Sequence, residues 1–144
     1  MKGAATMERP QPGLGHLMIV ASAGCGKTTA LTGRYIRLLL MGVPAHRIIA
    51  LTFTRKAAGE FLETIVRRLA DASASDEKAG VLARLVGEPG AKRADFSRAL
   101  RSLTQDLARL QLGTIDSFFA RVIQCFAPEL GCFSGLRLYE GGLE

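Results

Sequence analysis

The octet ASAGCGKT, residues 21–28, constrains the fold of this chain more than any other feature. Gly24 and Gly26 allow backbone angles that other residues resist, so successive N–H groups can turn inward and form an anion-binding nest. The octet stands between a short apolar run, residues 17–21, and a segment with helical apolar spacing from Thr28 onward. A strand, a glycine-rich loop and a helix in this order form the context in which such a nest binds phosphate.

The octet matches the Walker A pattern, with Ala21 in place of the usual first glycine. Lys27 would reach the β- and γ-phosphates of ATP, and the Thr28 hydroxyl would ligate Mg²⁺, so these two are the candidate catalytic residues. The alternative is a glycine turn with a surface lysine. The predicted phosphate-binding residues are Ala21, Ser22, Ala23, Gly24, Cys25, Gly26, Lys27 and Thr28.

The apolar pattern around the octet predicts a strand, a helix and a second strand. Residues 17–21 form a continuous apolar run, typical of a strand buried on both faces of a sheet. The helix should end near Met41, because Gly42 stands where a C′ glycine belongs and Pro44 follows. Residues 48–53 are the second strand. A unit of this kind requires a parallel sheet, so the predicted fold class is α/β, a P-loop NTPase with flanking helices.

The rest of the chain reads mainly as helix. A helix over residues 56–70 should pack on the sheet, because its apolar and charged residues separate onto two sides. Residues 71–76 look like a polar linker, followed by a short helix near 81–86 and a turn at 87–90. Residues 112–115 are predicted to form a third strand before a helix closed by Pro128. One further helix is predicted from an apolar seam of Phe96, Leu100, Leu103, Leu107 and Leu110.

Composition and charge limit which partner and which cellular compartment we expect for the protein. Nineteen Lys and Arg against thirteen Asp and Glu give a net charge of +6, which favours a polyanionic partner such as nucleic acid; a solvated basic face is the alternative. No apolar run approaches the roughly 20 residues of a membrane-spanning helix, and residues 1–15 do not read as a secretory signal. We therefore expect a cytoplasmic protein without a membrane span. The three cysteines, Cys25, Cys125 and Cys132, are expected to be reduced thiols.

Three blocks of sequence together resemble one family. ASAGCGKTTALTGRYIRLL, GVPAHRIIALTFTRKAAGEF and GTIDSFFARVI resemble the opening of UvrD/RecB-type superfamily-1 DNA helicases. The long segment between the second and third blocks is most similar to the RecB/AddA branch of recombination helicase–nucleases. The resemblance implies a partial RecA-like ATP-binding domain over residues 17–128 with a helical insertion at about 71–108. It also implies a flexible segment at 1–16 and the truncated start of a further segment at 129–144.

The resemblance implies roles for particular residues. Residues 21–29, which include Thr29, match the ATP·Mg²⁺ motif, and Arg34 matches an arginine near the nucleotide. Two further blocks match motifs that contact single-stranded DNA. An aromatic ring can stack on bases, while hydroxyls and a guanidinium suit phosphates. For Phe53 and Phe118 the alternative is a position in the core, and for Thr52 and Thr54 it is the preference of threonine for strands. The implied DNA-binding residues are Thr52, Phe53, Thr54, Arg55, Thr114, Ser117 and Phe118.

Two departures from the family pattern limit these expectations. Asp116 stands where the family usually has histidine, which places an anion in a DNA-contacting block. No aspartate-glutamate Walker B pair follows an apolar strand in the 144 residues, so we expect weak nucleotide binding and almost no hydrolysis by this chain alone. The expected parent is an ATP-dependent DNA helicase of repair or recombination, whose candidate partner is a second helicase–nuclease subunit.

Two other functions remain open on the sequence. A small P-loop kinase would use the same loop, with Arg84, Arg93 and Arg98 as candidate lid residues. A remnant without catalytic activity would use the basic surface only to bind nucleic acid or a partner protein. The kinase interpretation leaves the block LTFTRKAAGE without a role.

Overall fold

The structure is a computed structural model that describes residues 14–20, 26–129 and 131. The helices of the described part are α1 (Lys27–Leu40), α2 (Arg55–Ala74), α3 (Asp76–Leu85), α4 (Arg93–Gln105) and α5 (Ile115–Cys125). Its strands are β1 (Ile49–Thr52) and β2 (Gln111–Thr114). Single 3-10 turns, Ala45–Arg47 and Leu107–Arg109, stand just before the two strands.

Helix α1 confirms the prediction at both of its ends. It begins at Lys27 and ends at Leu40, and Gly42 follows with φ of 83°. The Gly42 N–H donates to the Leu39 carbonyl at 3.0 Å, and the Val43 N–H donates to the Leu38 carbonyl at 3.1 Å. These two bonds make a Schellman motif, which needs the left-handed backbone that glycine adopts without strain.

The two strands form a parallel sheet, as predicted. Ile49 pairs with Gln111, and the register runs to Thr52 opposite Thr114. The connection between them consists of α2, α3 and α4, and α2 packs against both strands. Ala50 and Leu112 pack against the core, whereas Ile49 is 54% exposed and Leu51 is 37% exposed. One face of the sheet is therefore covered and the other is open to solvent.

The strand predicted at residues 17–21 is wrong for the described residues 17–20, which form no strand. Met18 is 86% exposed and Val20 is 78% exposed, so the run is not buried on two faces. Ala21 lies outside the described residues. An apolar run indicates a tendency toward burial, but it does not specify the neighbouring strand that must supply its ladder hydrogen bonds.

The core lies among the helices. Helix α2 packs against α1, α3 and α4, and the Tyr35 and Phe61 rings meet edge to face with centroids 5.8 Å apart. Phe96 and Leu103, from the apolar seam that predicted a helix here, are both fully buried. The other large side chains with no exposed surface are Ile36, Ile65 and Leu69.

Two boundaries differ from the prediction. The predicted linker at 71–76 is wrong, because α2 continues to Ala74 and only Ser75 separates it from α3. Ala72 is 1% exposed and extends the buried face of Ile65 and Leu69, so a small residue carries the helical pattern where no large one does. The predicted apolar seam is also too long, because α4 ends at Gln105 and leaves Leu107 and Leu110 outside it.

Candidate functional site

The parallel register brings two distant blocks of the sequence to one edge of the sheet. Thr52 and Thr114 are paired residues at the carboxyl ends of β1 and β2. Helices α2 and α5 begin immediately after these ends. We call this edge the strand-end edge and define it by the seven residues implied for DNA binding: Thr52, Phe53, Thr54, Arg55, Thr114, Ser117 and Phe118.

Both helices at the strand-end edge are capped by threonine. The Thr54 hydroxyl accepts from the Ala57 N–H at 3.1 Å, and the Thr114 hydroxyl accepts from the Ser117 N–H at 3.2 Å. Each cap satisfies one of the backbone donors that a helix N-terminus leaves unpaired. The remaining donors and the positive ends of the two helix dipoles favour anions at this edge.

Two other hydroxyls at this edge donate hydrogen bonds to its own backbone. The Thr52 hydroxyl donates to the Thr54 carbonyl at 2.7 Å, and the Ser117 hydroxyl donates to the Thr114 carbonyl at 2.7 Å. A hydroxyl has one proton to donate, so neither residue offers a donor to phosphate while these bonds last. Contacts to phosphate would therefore come from backbone N–H groups and from the exposed residue Arg55.

Aromatic rings stand beside these polar groups. Phe53 is 87% exposed, so the alternative of a core position for it is wrong. Phe118 is half-buried, and its ring meets that of Phe119 with centroids 6.0 Å apart and planes at 66°. An exposed ring next to helix N-termini provides a stacking face beside an anion-binding edge.

The phosphate loop is described only from its last residues onward. Gly26 has φ of 80° and ψ of 13°, which is the left-handed conformation expected of a loop glycine before a helix. Lys27 is half-buried and Thr28 is exposed in the first turn of α1. The Thr32 hydroxyl, which is fully buried, donates to the Thr28 carbonyl at 2.7 Å and fixes this turn. Ala21, Ser22, Ala23, Gly24 and Cys25 lie outside the described residues.

Arg34 holds the backbone that precedes the loop. Its guanidinium donates to the Gly15 carbonyl at 2.7 Å and more weakly to the Leu14 carbonyl at 3.4 Å. Arg34 therefore attaches the segment before the phosphate loop to α1. Its predicted position near the nucleotide stays a prediction.

Sequence reasoning assigned no function to Arg68, which contacts the N-terminal end of α1. Its Nη2 donates to the Thr29 hydroxyl at 3.4 Å. Because Tyr35 meets Phe61 and Thr29 meets Arg68, helices α1 and α2 run in opposite directions. Arg68 lies 14 residues after Thr54, or about 21 Å along α2 at the usual rise per residue. The structure therefore brings together the two blocks for which the resemblance implies DNA contacts, and it places the first turn of α1 far from them.

A second cluster missed by sequence reasoning joins the turns that precede the strands. The Nδ1–H of His46 donates to the Asp106 carboxylate at 2.7 Å. This hydrogen bond is the main reason that the pKa of Asp106 lies below its usual value. Burial raises the pKa of the nearby Tyr35 to about 12. The pair ties the entry of β1 to the entry of β2, opposite the strand-end edge.

The remaining predictions concern charge, metals and membranes. Asp116 is exposed in the first turn of α5, where a carboxylate suits the helix dipole. The described residues contain no group of three or more His, Cys, Asp or Glu placed to hold a metal ion. Cys125 is an exposed free thiol, whereas Cys25 and Cys132 lie outside the described part. Among the residues with described positions, no helix is long and apolar enough to cross a bilayer.

A left-handed glycine that leads into a helix, together with parallel strands that end in capped helices, is a feature that P-loop NTPases share. The family described as UvrD/REP helicase N-terminal domain matches residues 4–141. This chain belongs to that family. The resemblance to UvrD/RecB-type helicases is thereby confirmed.

Curated relatives indicate which branch of the family this chain resembles. The chain is 33% identical over 110 residues to an ATP-dependent helicase/nuclease subunit of Lactobacillus johnsonii, a match that covers 76% of this chain and 8% of the relative. The protein of the same name from Streptococcus sanguinis is 29% identical over 129 residues, which is 90% of this chain and 9% of the relative. The chain thus spans less than a tenth of these relatives. No solved structure matches it significantly.

Proposed function

We propose that this chain is the ATP-binding, N-terminal part of an ATP-dependent DNA helicase of repair or recombination, and that the strand-end edge contacts single-stranded DNA. The curated relatives bear the name of a helicase/nuclease subunit, which supports this class of parent and, for its partner, a second protein of the same complex. With DNA as the substrate, the proposed compartment is the cytoplasm.

The observation that carries the proposal is the pairing of Thr52 with Thr114. The pairing gathers two helix N-termini, an exposed ring at Phe53 and the basic residue Arg55 within one edge. Single-stranded DNA presents both a phosphate chain and unpaired bases, so it needs anion-binding groups beside a stacking face. A small metabolite would need an enclosed pocket instead.

The nucleotide part of the proposal rests on the first turn of α1. Gly26 has the backbone conformation that lets N–H groups face an anion, and Thr28 has an exposed side chain in the turn that Thr32 fixes. These residues fit a Mg²⁺–ATP complex, with the Lys27 ammonium beside the phosphates and the Thr28 hydroxyl toward the metal. We propose Ala21, Ser22, Ala23, Gly24, Cys25, Thr29 and Arg34 as the other residues of this site. ATP supplies the phosphoanhydride bond whose hydrolysis drives translocation.

We propose that the isolated chain does not hydrolyse ATP efficiently. The 144 residues hold no aspartate-glutamate pair after an apolar strand, and the reaction needs a carboxylate of this kind and a residue that positions water. The kinase alternative loses support, because the family match includes the LTFTRKAAGE block that a kinase leaves without a role.

Amide hydrogen exchange with and without oligo(dT) tests the proposed DNA contact. We expect DNA to slow exchange at residues 53–57 and 114–118, because both segments begin helices at the strand-end edge. Residues 86–90 serve as the internal control, since they form the turn after α3 and lie outside the edge. Protection confined to that turn, or none at the edge in the presence of bound DNA, would exclude the proposed DNA contact.

A further inference from the structure

Arg68 has a buried nitrogen that makes no hydrogen bond to the described residues. Its Nη2 reaches the Thr29 hydroxyl at 3.4 Å, which is long for a hydrogen bond. Its Nη1 is buried and has no acceptor within the described part of the chain. Buried polar groups are normally paired, and a charged group left unpaired is unfavourable. An arginine in this position therefore needs an explanation other than the packing of α1 on α2.

The position of Arg68 suggests which group would accept a hydrogen bond from its Nη1. Thr29 directly follows Lys27 and Thr28, so the guanidinium lies beside the first turn of α1. That turn is the end of α1 to which an anion is drawn by the helix dipole and by backbone N–H groups. A phosphate bound there would add negative charge next to a guanidinium whose Nη1 has no acceptor among the described residues.

We infer that Arg68 is a positioning residue that couples nucleotide binding at α1 to DNA binding at the strand-end edge. The inference rests on the proposed function and adds to it a residue outside the motifs that suggested it. Arg68 acts through α2, the helix that Thr54 caps at the strand-end edge and that contacts Thr29 of α1 through its C-terminal half.

The packing between the two helices gives this coupling a physical route. When phosphate draws the guanidinium toward the first turn of α1, the C-terminal half of α2 moves with it. The contact of Tyr35 with Phe61 lies between Arg68 and the start of α2, so it forms a pivot. Helix α2 is continuous over its 20 residues, so a shift at Arg68 changes the position of its N-terminus against β1 and β2.

The test is a linkage measurement on the full chain. The dissociation constant for labelled oligo(dT) is measured with and without a saturating non-hydrolysable ATP analogue and Mg²⁺, and the ratio of the two values is the coupling factor. We expect the wild-type factor to differ from one by about fivefold or more, in the usual range of allosteric coupling. Arg68→Met should bring the factor close to one.

Arg67→Met is the matched control, because Arg67 is the exposed neighbour of Arg68 on the same helix. The control should keep the wild-type coupling factor, whereas Thr29→Val should lower it. A wild-type factor of one, or an unchanged factor in Arg68→Met, would overturn the inference and leave the proposed function intact. Absence of nucleotide binding in every variant, wild type included, would overturn the proposed nucleotide site and the inference with it.

Thermal unfolding separates coupling from a purely structural role. Because the variant removes a buried donor that has no acceptor among the described residues, Arg68→Met should melt at the wild-type temperature or higher without nucleotide. It should also gain less than wild type in melting temperature when the ATP analogue and Mg²⁺ are added. A lower melting temperature together with an unchanged coupling factor would mean that Arg68 only packs α1 on α2.

Discussion

Replacing Phe53 with alanine tests the strand-end edge with little disturbance of the fold. The ring is 87% exposed, so only about an eighth of its surface is covered. For a side chain of about 200 Å², loss of that contact costs about 0.6 kcal/mol at 25 cal/mol per Å². Phe53→Ala should therefore unfold almost as wild type does in urea.

Binding of single-stranded DNA should respond far more strongly. A base stacked on an aromatic ring contributes about 1–3 kcal/mol, so its loss weakens binding by about 5- to 150-fold. The assay is fluorescence anisotropy of labelled oligo(dT) at one fixed salt concentration, since the contacts to phosphate depend on salt. The expected result is a higher dissociation constant for a variant that remains folded.

Phe126→Ala is the matched control for this experiment. Phe126 is 54% exposed and lies at the far end of α5, away from the strand-end edge. Its loss should leave the affinity for oligo(dT) unchanged. Equal affinities for wild type and Phe53→Ala would refute the stacking role, as would an equal weakening in the control.

Two further predictions concern hydrogen bonds. The pKa of Asp106 is lowered in the folded chain, so its stabilisation is complete above the unfolded value of about 3.9 and disappears as pH falls through the folded value. Asp106→Asn should therefore lose less stability than wild type between pH 7 and pH 3, measured by urea unfolding; an identical loss would contradict this. A Cβ on Gly113 would lie 2.9 Å from the Ser117 Oγ, so Gly113→Ala should disturb the Ser117 hydrogen bond and cost about 1 kcal/mol. In a double-mutant cycle, Ser117→Ala should reduce that cost, and strict additivity would argue against the clash.

Local signals decided how much of the fold was predictable from sequence. Helix α1 was predictable because Gly26 and Gly42 mark its two ends and its apolar spacing is regular. The end of α2 was missed because Ala72 maintains the buried face with a small side chain among polar residues. The predicted strand before the phosphate loop failed because apolar character does not identify a pairing partner.

The candidate functional residues also differ in how well the sequence predicts their contacts. Thr54 and Thr114 are sequence-local caps, and parallel pairing brings both to one edge. By contrast, Arg68 meets a residue 39 positions away and His46 meets one 60 positions away. Such contacts depend on how α1 packs on α2 and on how the turns before the strands meet. The periodicity of a single segment does not contain that information.

The most direct test of the central claim is titration of a fluorescent ATP analogue with Mg²⁺ into this chain and into Lys27→Ala. The account predicts saturable binding by wild type, with loss of that binding in the variant, because Lys27 supplies the cation at the start of α1. Circular dichroism would show that the variant keeps its helices. Equal binding by the two proteins, or no binding by either, would contradict the assignment of residues 21–29 as the nucleotide site.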